Sequence, residues 1–329
     1  MKGLALLAAV AAMLSGALFG VRALAAGPSP LIEHIVAPAA TDWSQPIDST
    51  LADHYAWFNP DKTLSNKQLL VYLPGNSGEP ANALIYQQLA AQLGYHVIGL
   101  MYETGYFLAE LCNTDPNANL CFYEAHYEVT YGFDTSPKLQ VSQADSIVNL
   151  LTTFLHYLSN KYPAEGWSQF LTAAGEPVWT QITMSGISQG AGNSAMVARD
   201  HVVSRVVMFS GVTDAIPTDS VSWLSTHLTP SNRYWGLAHD QDPGYVHITA
   251  NWISLGVSYL GNLVQVENSS PPYQGTHRLH TDLKPHEGPG YKYAHPSTVI
   301  DKFTPLDNGQ PVLAPAWQYL ITADACGGE

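Results

Sequence analysis

Residues 179–196 read WTQITMSGISQGAGNSAM, and the way they divide decides the fold. The first ten read as a strand that runs straight into Gly186-Ile187-Ser188-Gln189-Gly190. Ala191, Gly192, Ala195, Met196 and Ala198 then continue as a helix whose start is kept small. A G-x-S-x-G string alone is weak, because composition supplies it by chance. Between a strand and a helix it gains a physical meaning. Two residues without β-carbons allow a tight bend, and the bend lifts the Ser188 hydroxyl clear of the strand end. Ser185 and Ser194 lack that framing and read as structural.

The same alternation extends outward along the chain. QLLVYLP (68–74) is a near-continuous apolar run, as expected of a strand covered on both faces. GNSGEP turns the chain into NALIYQQLAAQLG (82–94), with apolar residues at helical spacing and Gly94 as the stop. HVIGLMY (96–102), RVVMFSG (205–211), NRYWGLAHD (232–240) and HRLHTDL (277–283) read as further strands. Helices are expected over 136–163, 245–256 and 315–321. Strands alternating with helices predict an α/β fold with a mostly parallel central sheet and helices on both faces.

A serine nucleophile needs a base, a group that orients the base, and donors for an oxyanion. The Gln189 N–H at the helix start is one expected donor. The other belongs to the turn after an earlier central strand, where LPGNSGEP points to Asn76, with Ser77 next. Partners follow such a serine in the order acid, then histidine. Asp242, in the loop HDQDPGY, stands at the expected place for the acid; Asp240 and Asp214 are competitors. His295, in YAHPSTVID after the last strand, is the expected base, ahead of His286; His277 and His280 flank or sit within the strand itself. An imidazole base predicts activity that climbs from about pH 6 upward. HRLHTDLKPHE matches no tight zinc spacing, so neither a metal nor any other cofactor is expected. Tyr102, Tyr106, Trp223 and Trp252 are candidate substrate-binding aromatics, beside Phe107 and Tyr291.

Residues 1–25 have the pattern of a secretory leader: Lys2, a leucine/alanine run, and Ala23-Leu24-Ala25 as a cleavage site. The mature chain, 26–329, then reads as a single domain released to the exterior or periplasm without a stable membrane anchor. Lys and Arg number 13 against 27 Asp and Glu, and removing Lys2 and Arg22 leaves 11 against 27, near −16. Such a balance disfavours nucleic acid and anionic surfaces as partners. In an exported chain, Cys112 and Cys121 within ELCNTDPNANLCF are expected to form a disulfide, leaving Cys326 over. The segment around them is longer than an ordinary connection and reads as a loop covering a site.

Taken with the paired cysteines, LLVYLPGNSGEP, LGYHVIGLMYE, YEVTYGFDTS, GISQGAG, RVVMFSGVTD and AHPSTVIDKFTP resemble a poorly characterised family of secreted α/β-hydrolase-fold proteins. The resemblance spans most of 66–321 and implies that fold, with a Ser-His-Asp arrangement on Ser188, His295 and Asp242. Where many relatives read G-H-S-Q-G, this chain carries Ile187. The expected function is a serine esterase acting on small or polymeric carboxylic esters. A peptidase or amidase using the same residues is the enzymatic alternative; a catalytically silent binding protein is the other.

Overall fold

The computed structural model describes residues 30–216 and 221–324. The expected leader and Cys326 lie outside them. In chain order the main elements are β1 (Ile32–Val36), β2 (His54–Phe58), β3 (Leu69–Leu73), α1 (Leu84–Gln92), β4 (His96–Gly99), α2 (Leu108–Cys112), α3 (Ala118–Tyr131) and α4 (Ile147–Lys161). There follow β5 (Ile182–Ile187), α5 (Gln189–Asp200), β6 (Arg205–Phe209), β7 (Tyr234–His239), α6 (Tyr245–Ser254), β8 (Val264–Gln265), β9 (Arg278–Thr281) and α7 (Ala314–Thr322).

Nine strands form one sheet in the order β1-β2-β4-β3-β5-β6-β7-β9-β8. From β4 to β8 every pairing is parallel, and only the pairings of β2 with β1 and β4, at one edge, are antiparallel. All five residues of β3 and all six of β5 are buried. The strand period of two sends alternate side chains to two separate cores. Val71, Met184 and Met208 join the face covered by α3, α4 and α5, whereas Leu70, Tyr72, Val207 and Phe209 join the face covered by α1 and α7. That two-sided covering explains why the central strands read as unbroken apolar runs.

Three expectations need correction. The cysteine segment is helical: Cys112 ends α2 and Cys121 lies in the first turns of α3, and their disulfide joins Cα atoms 5.5 Å apart. The helix expected over 136–163 begins only at Ile147, where Ser146 Oγ accepts the Asn149 N–H as a cap. The chain before it is held out of helix by Glu128, a buried α3 carboxylate that accepts from the backbone N–H groups of Thr135, Ser136 and Val141 at 2.8–3.0 Å. Finally, β1 and β2 add an antiparallel edge ahead of the first strand read from the sequence.

Candidate active site

Because β5 lies between β3 and β6, the turns after all three emerge side by side at the carboxyl edge of the sheet. Ser188 occupies the bend after β5 with φ 56° and ψ −121°, a conformation that costs an L-residue on the order of 1–3 kcal/mol. The glycines around it are required by close approach. A β-carbon on Gly186 would lie 2.5 Å from the Gly190 backbone, and one on Gly190 would lie 2.3 Å from the Leu73 carbonyl oxygen. Strand, bend and helix can meet only if both positions are bare. Ser188 is half-buried, in contrast to its fully buried neighbours in β5 and α5. Ser185 and Ser194 are buried, bonded to Tyr86 and to the Gly190 carbonyl respectively.

His295 begins the short helical turn that continues through Pro296–Thr298. Its Nδ1–H donates to Asp242 Oδ2 at 2.6 Å. The Asp242 carboxylate is buried, and its other oxygen accepts the Gly244 N–H at 2.8 Å. A carboxylate can only accept, so this contact fixes the tautomer and leaves Nε2 as the outward atom. The end of β6 links ring and serine. Phe209 O accepts the Ser188 N–H at 2.9 Å, and Ser210 Oγ, one residue on, donates to His295 O at 2.7 Å. Among the described residues, neither Ser188 Oγ nor His295 Nε2 makes a hydrogen bond.

The other candidate acids and histidines are placed differently. Asp240 contacts His239 and Gln241. Asp214 is buried and bonded to His126 and Trp223. His286 is exposed, with its backbone N–H on Phe303 O. His277 is buried, stacked on Trp235 with ring centroids 3.5 Å apart.

On the β3 side, a β-carbon on Gly75 would lie 3.2 Å from the Ser188 β-carbon, so this turn packs directly on the serine. Ser77 N–H is committed to Thr104 O at 2.8 Å, as is the Asn76 side-chain amide at 2.9 Å. The Asn76 and Gln189 backbone N–H groups donate to no described residue, which suits them to a ligand oxygen.

The aromatic expectations divide. Tyr102 and Trp252 are fully buried, with their polar atoms spent on Pro74 O at 2.7 Å and Gly211 O at 2.7 Å. Trp223 is buried too, its indole N–H on Asp214. Buried with their polar atoms bonded inside the protein, these three are supports and do not line an open pocket. Tyr106 is half-buried with its hydroxyl on Gln140 O, and Phe107 and Tyr291 remain exposed. Sequence reasoning missed Ser210 and the His126–Asp214 pair. A small polar residue straight after β6 was the only signal for the first; nothing local marks the second.

Among the described residues no group of His, Cys, Asp and Glu could hold a metal ion, and no helix is long and apolar enough to cross a membrane. Compared with protein-family models and with curated proteins, the chain matches none, so the chemistry of the site has to be read from its geometry.

Proposed function

We propose that this chain is an exported serine hydrolase of the α/β-hydrolase fold, akin to the secreted family its sequence resembles, and that it cleaves carboxylic esters. The observation that carries the reading is the 2.6 Å bond from His295 to buried Asp242, tethered through Ser210 beside a serine in a strained, glycine-flanked bend. In this reading His295 Nε2 takes the proton of Ser188 as its oxygen attacks the ester carbonyl. Asp242 holds the ring and stabilises its charged form. The Gln189 and Asn76 N–H groups receive the oxyanion; the alcohol departs with the proton from His295, and water releases the acyl group. The strand order and the disulfide are in keeping with an exported enzyme of this kind.

The test is covalent labelling. A fluorophosphonate probe is expected to modify the wild-type protein and not Ser188→Ala; equal labelling of both removes Ser188 from the chemistry. Ester and amide substrates at matched concentration separate an esterase from an amidase on the same residues.

A further inference from the structure

Helix α6 departs from the pattern of a surface helix. Its inner face is built as expected, with Ile248, Asn251, Trp252 and, just past the end, Leu255 buried at helical spacing. That face is locked to the chain beyond β6. Asn251 Nδ2 donates to Val212 O at 3.0 Å and to Asp214 O at 2.8 Å, and the Trp252 indole N–H donates to Gly211 O. The opposite face of such a helix normally carries charge. Here it carries Val246, 72 % exposed, and Ile253, 57 % exposed, with Thr249 and Ala250 half-buried between them. From Pro243 to Val266 the sequence contains no Asp, Glu, Lys or Arg, although acidic residues are plentiful in the chain as a whole. Single exposed apolar residues are ordinary, but a helix that is apolar on both faces is one made to be covered on both.

The place of α6 in the fold says what covers it. Asp242, which holds His295, also accepts the Gly244 N–H on its carboxylate and the Tyr245 N–H on its backbone oxygen, at 2.8 and 2.9 Å. The first turn of α6 is thus fastened to the candidate site, at the carboxyl end of β7, and Val246 stands in that turn. Two exposed aromatic residues belong to other connections at the same edge: Phe107 after β4, and Tyr291 between β9 and His295. Parallel pairing sets the carboxyl ends of these three strands on one side of the sheet. An anionic interface is repelled by so acidic a chain, and a partner that docks by charge finds none on this face. What fits is a surface both apolar and uncharged, lying against the mouth of an ester-cleaving site.

We propose that the outer face of α6 adsorbs to the surface of a water-insoluble, uncharged ester and so holds the site against its substrate phase. The inference rests on the hydrolase reading above. Val246 and Ile253 lie two turns apart, about 10 Å along the helix, and give the contact two anchors. Both act on adsorption and neither touches the reacting bond.

The test uses emulsified tributyrin and the Ser188→Ala chain, so that adsorption is read without turnover. Droplets are expected to deplete this protein from the water phase. Adding Val246→Glu with Ile253→Lys leaves the net charge unchanged and is expected to lower the partition coefficient at least about tenfold. Val246→Leu with Ile253→Leu keeps the face apolar and is expected to partition like the parent. With Ser188 intact, the glutamate and lysine pair is expected to lower the ratio of emulsified tributyrin to dissolved 4-nitrophenyl acetate turnover by a similar factor. A parent that ignores the droplets, or a charged variant that adsorbs equally well, overturns the proposal. So does a dimer in sedimentation that the charged pair dissociates, since a second copy then covers the face. If adsorption is insensitive to these substitutions while Ser188→Ala abolishes fluorophosphonate labelling, the inference fails and the hydrolase reading survives. Labelling that persists in Ser188→Ala removes both.

Discussion

At the scale of single residues, the site depends on two side chains that do different work at one imidazole. Asp242 holds His295 by a buried charged acceptor, and Ser210 holds the backbone of the same residue. Asp242→Asn keeps the volume but can offer its NH₂ to Nδ1, which favours the other tautomer. If the proposed hydrolase mechanism holds, it is expected to lower kcat roughly 10³- to 10⁴-fold with the fold intact, as steady-state kinetics beside circular dichroism will reveal. Gly190 makes a different demand. A methyl group there meets the Leu73 and Pro74 carbonyl oxygens at 2.3 and 2.4 Å, and backbone cannot swing aside as a side chain does. Gly190→Ala should therefore destabilise the protein by roughly 1–3 kcal/mol or more, read from urea unfolding, and should slow probe labelling in whatever fraction folds. The serine motif was legible because its residue types are dictated by local geometry. The choice of Asp242 over Asp240 and Asp214 rested on loop position, since all three are acids after strands and nothing local separates them.

Elements decide how the long insertion between β4 and β5 is organised. Its fixed point is Glu128, whose carboxylate collects three backbone N–H groups from the segment that leads into α4. Glu128→Ala strands three donors, those of Ser136 and Val141 in a buried place, and should cost at least about 2 kcal/mol. Glu128→Gln keeps an acceptor oxygen and should cost less; the ordering of the two in chemical denaturation is the check. The disulfide between α2 and α3 closes a loop of 9 residues separation, worth about 2–3 kcal/mol by loop-closure entropy. Reduction should lower the melting temperature accordingly, with little effect on the site, because the cysteines touch neither Ser188 nor His295. The cysteine pairing was legible from spacing and expected export. The helicity around it was not, because a polar, Asn-rich stretch carries a weak helical period and is folded by what it packs against.

Across the whole molecule, burial of neutral imidazoles couples the fold to pH. His54 on β2 is completely enclosed, stacked on Phe154, and its Nδ1 accepts the Met101 N–H at 3.0 Å. Burial pushes its pKa down to about 3, and burial likewise pushes His277 down to about 4. A depressed histidine contributes stability that is complete above its unfolded value near 6.5 and is lost as pH falls toward the folded value. Each pH unit in that window costs about 1.4 kcal/mol for His54. Asp301 acts in the opposite sense. Burial lifts its pKa to about 6 against the Leu84 and Ile85 N–H groups it accepts, so its share declines as pH rises toward 6. His126, whose pKa the Asp214 charge raises against burial, acts in the same sense as Asp301, but the histidines that burial pushes down (His54, His277, His96, His201 and His280) outnumber the two, and thermal stability should fall between pH 6.5 and 4. His54→Asn, which retains an acceptor for Met101, should flatten that fall.

Local patterning was enough to determine the α/β alternation, the central strands and the bend at Ser188, since strand period, helix period and bare turn residues act over a few neighbours. It also narrowed the acid and the base of the proposed mechanism to small sets by their order in the chain. Only the tertiary structure decided that His295 meets Asp242, that Asp214 belongs to His126, and that Tyr102, Trp223 and Trp252 are buried supports. Most of those choices depend on contacts between residues dozens of positions apart, which sheet order brings together and no local pattern encodes.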